Sequence, residues 1–266
     1  MIIDAHRHFM PGKANLDLLL AQMDQDNFAE TVLFGYHGLQ LLPEPHQQDK
    51  QILNFSRQYP DRIIPFFCDL DFYAEDCPEY VCKCVEQDGF KGLGEILLGH
   101  TPIHNLSFEN KSMTDDEPIH IFQMMGEFGL PVLFHADPQF AAQSETAISL
   151  CPQTNFIWAH AAYNFCDPYG GNGRSPEDID RMLSACPNLF FDISHWKISP
   201  IYLYEPDWLA LLSARSERFI FGTDMSENYL TESVWIPAYK LILSALDICK
   251  QEKIAGETFL KLIAGI

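Results

Sequence analysis

At 266 residues, 47% of them hydrophobic, the chain can bury one large core, and the absence of an apolar run of about 18 residues excludes a membrane-spanning helix. A net charge of −20, from 37 acidic and 17 basic residues, disfavours a nucleic-acid or anionic-lipid partner. The segment MIIDAHRHF has neither a basic start nor a long apolar stretch, so no signal peptide is expected. The expected setting is then the cytoplasm, with the eight cysteines reduced. Cys77, Cys82 and Cys84 in CPEYVCKC lack zinc-finger spacing and read as three thiols on a helix.

In chain order, a strand at Ile2–Asp4 precedes a helix with Leu16, Leu19, Leu20 and Met23 on one face. A strand at Thr31–Phe34 leads to a helix carrying Ile52, Phe55 and Ser56. Strands follow at Ile63–Cys68 and Phe90–Gly94, then a helix marked by Ile119, Phe122, Met125 and Phe128. Further strands are expected at Val132–Phe134, Phe156–Ala159, Leu189–Asp192 and Phe219–Gly222. One long helix through Tyr239, Ile242, Leu243, Leu246 and Ile248 closes the pattern. Eight strands alternating with helices predict an α/β fold, a single (β/α)8 TIM barrel over residues 1–266. The connections agree. Links from helix to strand are short, as in QYPDR and CPN, whereas links from strand to helix are long, as in HAAYNFCDPYGGNGRSPED. In a barrel the long links build the active rim.

The carboxyl ends of these strands carry imidazoles and carboxylates. They are His6 and His8 after the first strand, Glu95 after the fourth, His135 after the fifth, His160 after the sixth and Asp224 after the eighth. Side chains two apart on a strand point the same way, so His6 and His8 can chelate one ion while Arg7 turns aside to pair locally. These donor types suit zinc first, with manganese, iron or nickel as alternatives. Gly92, Gly94 and Gly222 stand beside them and allow close backbone approach. Asp4 and Asp137 are candidates to orient the ligands from behind, although Asp4 reads equally as a structural residue.

Together D-A-H-R-H, G-L-G-E, F-H-A-D, W-A-H-A and F-G-T-D resemble the amidohydrolase superfamily of metal-dependent hydrolases, in particular the amidohydrolase family 2 branch. That branch includes lactone hydrolases and aromatic-acid decarboxylases. The H-x-H and G-x-G-E patterns also resemble TatD-type phosphoesterases. The resemblance implies one or two divalent ions per chain. His6, His8 and Asp224 would hold the more buried one, His135 and His160 a second, with Glu95 bridging. In single-metal relatives His160 would activate water instead.

The implied reaction is attack of a metal-activated water on a C–O or C–N bond of a small, anionic ester, lactone or amide. Asp224 and His160 are the catalytic candidates. The alternatives are a mononuclear non-oxidative decarboxylation and a TatD-type phosphoester cleavage. Candidate substrate contacts on the same rim are His100, Tyr163, Arg174 and His195; Arg174, in GGNGR, could close on an anionic group. The expected partner is a small molecule, with no nucleic acid and no membrane; a homo-oligomer is compatible with the sequence.

Overall fold

A computed structural model describes residues 1–11, 15–38, 42–99, 111–161, 174–194, 203–226 and 236–265. Eight short strands follow one another: β1 (Ile3–Asp4), β2 (Glu30–Leu33), β3 (Ile63–Pro65), β4 (Leu93–Gly99), β5 (Val132–Ala136), β6 (Phe156–Trp158), β7 (Leu189–Asp192) and β8 (Phe219–Ile220). They form two parallel ladders, β1-β2-β3 and β4-β5-β6-β7-β8. Apart from the half-buried Phe190, their apolar residues are buried, as parallel strands covered on both faces require.

Main-chain hydrogen bonds cross both seams between the ladders. Phe67 N–H donates to Gly92 O at 3.1 Å and Gly94 N–H to Phe67 O at 2.9 Å, joining β3 to β4. On the other side Ala5 N–H reaches Phe221 O at 3.0 Å, Asp224 N–H reaches His6 O at 2.8 Å and His8 N–H reaches Met225 O at 2.8 Å. The barrel is thereby continuous, and the second seam sets the residues after β1 against those after β8.

The helices are α1 (Leu16–Asp26), α2 (Gln47–Gln58), α3 (Cys77–Cys82), α4 (Asp116–Glu127), α5 (Ala141–Leu150), α6 (Pro176–Ala185), α7 (Pro206–Ala214), α8 (Ile236–Ser244), α9 (Ile248–Glu252) and α10 (Thr258–Ala264). Among the described residues, none is long and apolar enough to cross a membrane. Local chemistry sets their ends. Asn15 caps α1 through its side chain, and Asn27 ends that helix at φ 56°. Ser175 and Asp178 form a reciprocal capping box at the start of α6, with Pro176 in its first turn. The asymmetry of the connections holds: α6 gives way to β7 between Ala185 and Leu189, whereas residues 159–175 separate β6 from α6.

Most strands shift at a boundary by one to three residues from expectation, β3 ending at Pro65 rather than Cys68, and two departures are larger. The fourth strand begins at Leu93 and runs past Glu95 to Gly99, so Glu95 projects from within it. The final helix is broken between Ser244 and Ile248. Asp247 adopts ψ 146°, its carbonyl accepts from Lys250 N–H at 2.9 Å to start α9, and Ile248 is left 63% exposed. Cys77, Cys82 and Cys84 lie on one helical stretch and join no group of metal donors among the described residues.

Candidate metal centre

The β1–β8 seam builds the first half of the centre. Asp4 is fully buried and accepts from Thr223 N–H at 2.9 Å, Thr223 Oγ1–H at 2.7 Å and Arg7 Nε–H at 3.0 Å. It is therefore a structural knot, tying β1 to the segment that carries Asp224. Arg7 is completely buried beside Asp4 and Gln22, which settles its role as a local partner. Gly222 lets the two segments meet: a Cβ there would lie 2.7 Å from His6 Cβ. Asp224 has φ 59°, a left-handed conformation that Asp tolerates better than most residues, and its bond to His6 O holds it there.

The structure brings together His6, His8, Glu95, His135, His160 and Asp224. Three groups of donor atoms lie within 4.8 Å of one another: His6–His8–Asp224, Glu95–His135–His160 and, behind them, His6–His160–Asp192. Glu95 faces the first two. Its Oε2 is 3.2 Å from His8 Nε2 and 3.8 Å from His6 Nε2, while its Oε1 is 3.5 Å from His135 Nδ1 and 3.6 Å from His160 Nε2. Asp224 Oδ1 sits 3.4 Å from His8 Nε2 and 3.5 Å from His6 Nε2, and its Oδ2 is 4.0 Å from His160 Nε2.

Each ring is tied from behind by its other nitrogen. His6 Nδ1–H donates to Asp192 Oδ2 at 2.8 Å and His8 Nδ1–H to Gly35 O at 3.0 Å. His135 Nε2–H donates to Asp137 Oδ1 at 3.1 Å. Ser194 Oγ–H is committed to Asp192 Oδ1 at 2.6 Å, so His160 Nδ1–H donates to the serine oxygen at 2.8 Å. In each neutral ring the remaining nitrogen therefore turns a lone pair toward the carboxylates of Glu95 and Asp224. Lone pairs facing carboxylates at 3.2–4.0 Å call for a cation between them. His6 Nε2 and Glu95 Oε1 are buried atoms without a hydrogen-bond partner, as a site built for an ion requires.

The protonation states without metal reflect the same crowding. Burial opposes a charge on His6, but Asp192 and Glu95 outweigh it and hold its pKa well above the usual range. His8 behaves alike: burial is outweighed by Asp224 and Glu95, and its pKa rises to about 9. Burial dominates at His160, which falls to about 3 and stays neutral. Burial disfavours the charged forms of Glu95 and Asp224 too, yet the surrounding imidazoles hold both carboxyls well below their ordinary values.

Asp137 stands behind His135 as expected, but the larger part is played by Asp192 and Ser194, which were not singled out. Asp192 was in plain view as the last residue of the seventh strand; it lies in no H-x-H-like pattern, and its partners come from β1 and β6. The other correction concerns Arg174. Arg174 is 3% exposed, and its guanidinium lies 4.1 Å over the Trp158 ring and donates to the Ala136 and His160 carbonyls, a buried position that departs from the open arm expected for an anionic substrate. His100, Tyr163 and His195 lie outside the described residues.

A cavity of about 550 Å³ opens on the same rim, in the segments after β2 and β3. Leu70, Phe72, Tyr73 and Leu98 line it with His37, Asp71 and Lys111. His37 is buried, its Nδ1 accepts from Leu97 N–H at 3.2 Å, and burial lowers its pKa to about 4.

Comparison with known proteins agrees with this architecture. A family model described as amidohydrolase (Amidohydro_2) matches residues 3–234. None of the curated proteins matches the chain. Among solved structures, an uncharacterised TIM-barrel protein from Bordetella bronchiseptica is similar at TM-score 0.72 and 13% identity, covering 99% of this chain and 98% of that one. An amidohydrolase from Burkholderia multivorans with bound zinc is similar at TM-score 0.64 and 13% identity, with 99% of each chain covered. A dihydroxybenzoic acid decarboxylase from Polaromonas, bound to manganese and 2-nitroresorcinol, is similar at TM-score 0.60 and 13% identity, covering 99% and 96%.

Proposed function

The chain belongs to the amidohydrolase family, and from that premise we propose that it is a metal-dependent hydrolase cleaving a C–O or C–N bond in a small ester, lactone or amide. The observation that carries this reading is the arrangement of Glu95, one oxygen toward His6 and His8 and the other toward His135 and His160. A carboxylate shared in this way suits two divalent ions. His6, His8 and Asp224 would hold one, and His135 and His160 the other. Zinc is the first candidate and manganese the second, the ions present in the Burkholderia and Polaromonas structures. When bound, such ions polarise a carbonyl and lower the pKa of water from 15.7 to about 7.

The chain's own residues do the rest. Asp224 stays ionised, so its carboxylate can take a proton from the attacking water and deliver it to the leaving group. Its left-handed backbone directs the carboxylate toward His8 and His160 together. His160 stays neutral and keeps an acceptor nitrogen toward the centre, whether as a ligand or as a partner to water. The cavity beside His37 would receive the body of the substrate, where an anionic group would compete for Lys111 with Asp71, 3.5 Å from it.

A second reading uses the same centre with one ion to decarboxylate an aromatic acid; the Polaromonas enzyme among the similar folds supports including it in any assay. The test is a panel of esters, lactones, amides, hydroxybenzoates and phosphodiesters, with metal content measured alongside. Chelator-sensitive ester, lactone or amide cleavage with about two ions per chain supports the hydrolase. Carbon dioxide release with one ion favours the decarboxylase. Phosphodiester cleavage by metal-repleted, highly purified protein favours the TatD-type alternative.

A further inference from the structure

Two of the six donors, His135 and His160, sit on or just after neighbouring strands, whose backbones are joined by the β5–β6 ladder and by Ala159 N–H to Phe134 O at 2.9 Å. A second connection between them runs through side chains. Ala136, which follows His135, offers its carbonyl to two donors, Trp158 Nε1–H at 3.0 Å and the Arg174 guanidinium. The same guanidinium reaches the carbonyl of His160 at 3.4 Å. Its plane is held 4.1 Å above the Trp158 ring, with Phe191 at 5.8 Å. Arg174 and Trp158 are both almost completely buried.

His160 needs such support. It has φ 62°, in the left-handed region, where a residue with a Cβ is held only if its surroundings over-determine it. Its N–H is bound to Asp192 Oδ1 at 2.9 Å and its carbonyl to Arg174. The peptide is pinned on both sides, and this sets where Nε2 points.

We infer that Arg174 is a positioning residue for the centre: one buried guanidinium clamps the main chain behind His135 and His160 and so sets the geometry of that half of the ligand set. The His6–His8–Asp224 half has a separate brace in Asp4, Thr223 and Arg7. Asp192 and Ser194 touch both halves, whereas the Arg174 guanidinium contacts only the His135–His160 half, so its loss acts first on that one. The clamp needs a planar fork able to reach two carbonyls at once. Lysine places one compact ammonium and cannot replace it.

The inference rests on the metal-dependent reading above, and its test separates the two. Wild-type protein, R174K and R174M are stripped of metal, checked by near-ultraviolet circular dichroism, and titrated with Zn²⁺ and Co²⁺ by calorimetry and visible absorption. Wild-type stoichiometry judges the dinuclear reading by itself. The clamp predicts that both variants bind at least one ion about tenfold more weakly, in the range usual for lost outer partners of a ligand, with a changed cobalt spectrum. If two ions bind, the weakened one is the ion whose spectrum also responds to His135→Ala. If a single ion binds, through His135 among others, that ion is weakened. R174K keeps the charge over Trp158 and guards against loss of the fold in R174M. Affinities within twofold of wild type and an unchanged cobalt spectrum in R174K would overturn the inference.

Discussion

Replacing Asp192 with asparagine should disable the metal centre while leaving the barrel standing. The carboxylate is 1% exposed and accepts from His6 Nδ1–H at 2.8 Å, His160 N–H at 2.9 Å, Ser194 N–H at 2.9 Å and Ser194 Oγ–H at 2.6 Å. Asparagine keeps one oxygen, which can serve the three donors now meeting Oδ1. It places an N–H where Oδ2 meets the imidazole, so a donor faces a donor. His6 relieves the conflict by moving its proton to Nε2, and a protonated nitrogen cannot bind an ion.

The loss to the fold is that of one hydrogen bond to a charged group, roughly 1.5–3 kcal/mol. The loss in metal affinity should be roughly 10–100-fold. Competition between metal-free protein and a chromophoric chelator measures the second quantity, and denaturant unfolding the first. An Asp192→Asn protein that is stable and binds Zn²⁺ as tightly as wild type would refute the idea that this carboxylate sets the proton on His6.

Gly222→Ala inserts a Cβ 2.7 Å from His6 Cβ and 3.3 Å from Ser194 Cβ; thermal unfolding should show a loss of about 1–3 kcal/mol, and calorimetry weaker metal binding. Arg7→Met strands the buried Asp4 carboxylate, so denaturant unfolding should show a loss of about 3–5 kcal/mol. Metal binding should release protons near pH 7.5, since His6 and His8 are protonated without metal and must lose that proton to become ligands. For His8 the release diminishes as pH rises through about 9; calorimetry in buffers of different ionisation enthalpy reads it, and no release at pH 7.5 contradicts the assigned charge states.

The legible parts of the chain were those in which one physical requirement leaves a local trace. Buried parallel strands must be apolar runs, and the cores of all eight stood out, from Ile3 to Phe219. The ligand candidates were legible because a strand end followed by His, Glu or Asp is a local pattern. Glu95 follows the expected strand Phe90–Gly94 yet lies inside β4, which runs on to Gly99; the close approach expected at Gly94 is present, a Cβ there lying 2.3 Å from Leu133 O. The break after Ser244 carries neither glycine nor proline, and only the backbone of Asp247 marks it. Asp192, Ser194 and Arg174 were hidden for a different reason. Their roles are defined by partners on other strands, so no spacing along the chain encodes them.

The proposed chemistry requires the six donors to share divalent ions. Anomalous diffraction at the zinc or manganese edge, on crystals of metal-loaded protein, tests this most directly. The prediction is two peaks, one among His6, His8 and Asp224 and one against His135 and His160, with Glu95 between them. A metal-loaded crystal with no peak near these residues, or with its ions bound elsewhere on the barrel, would contradict it.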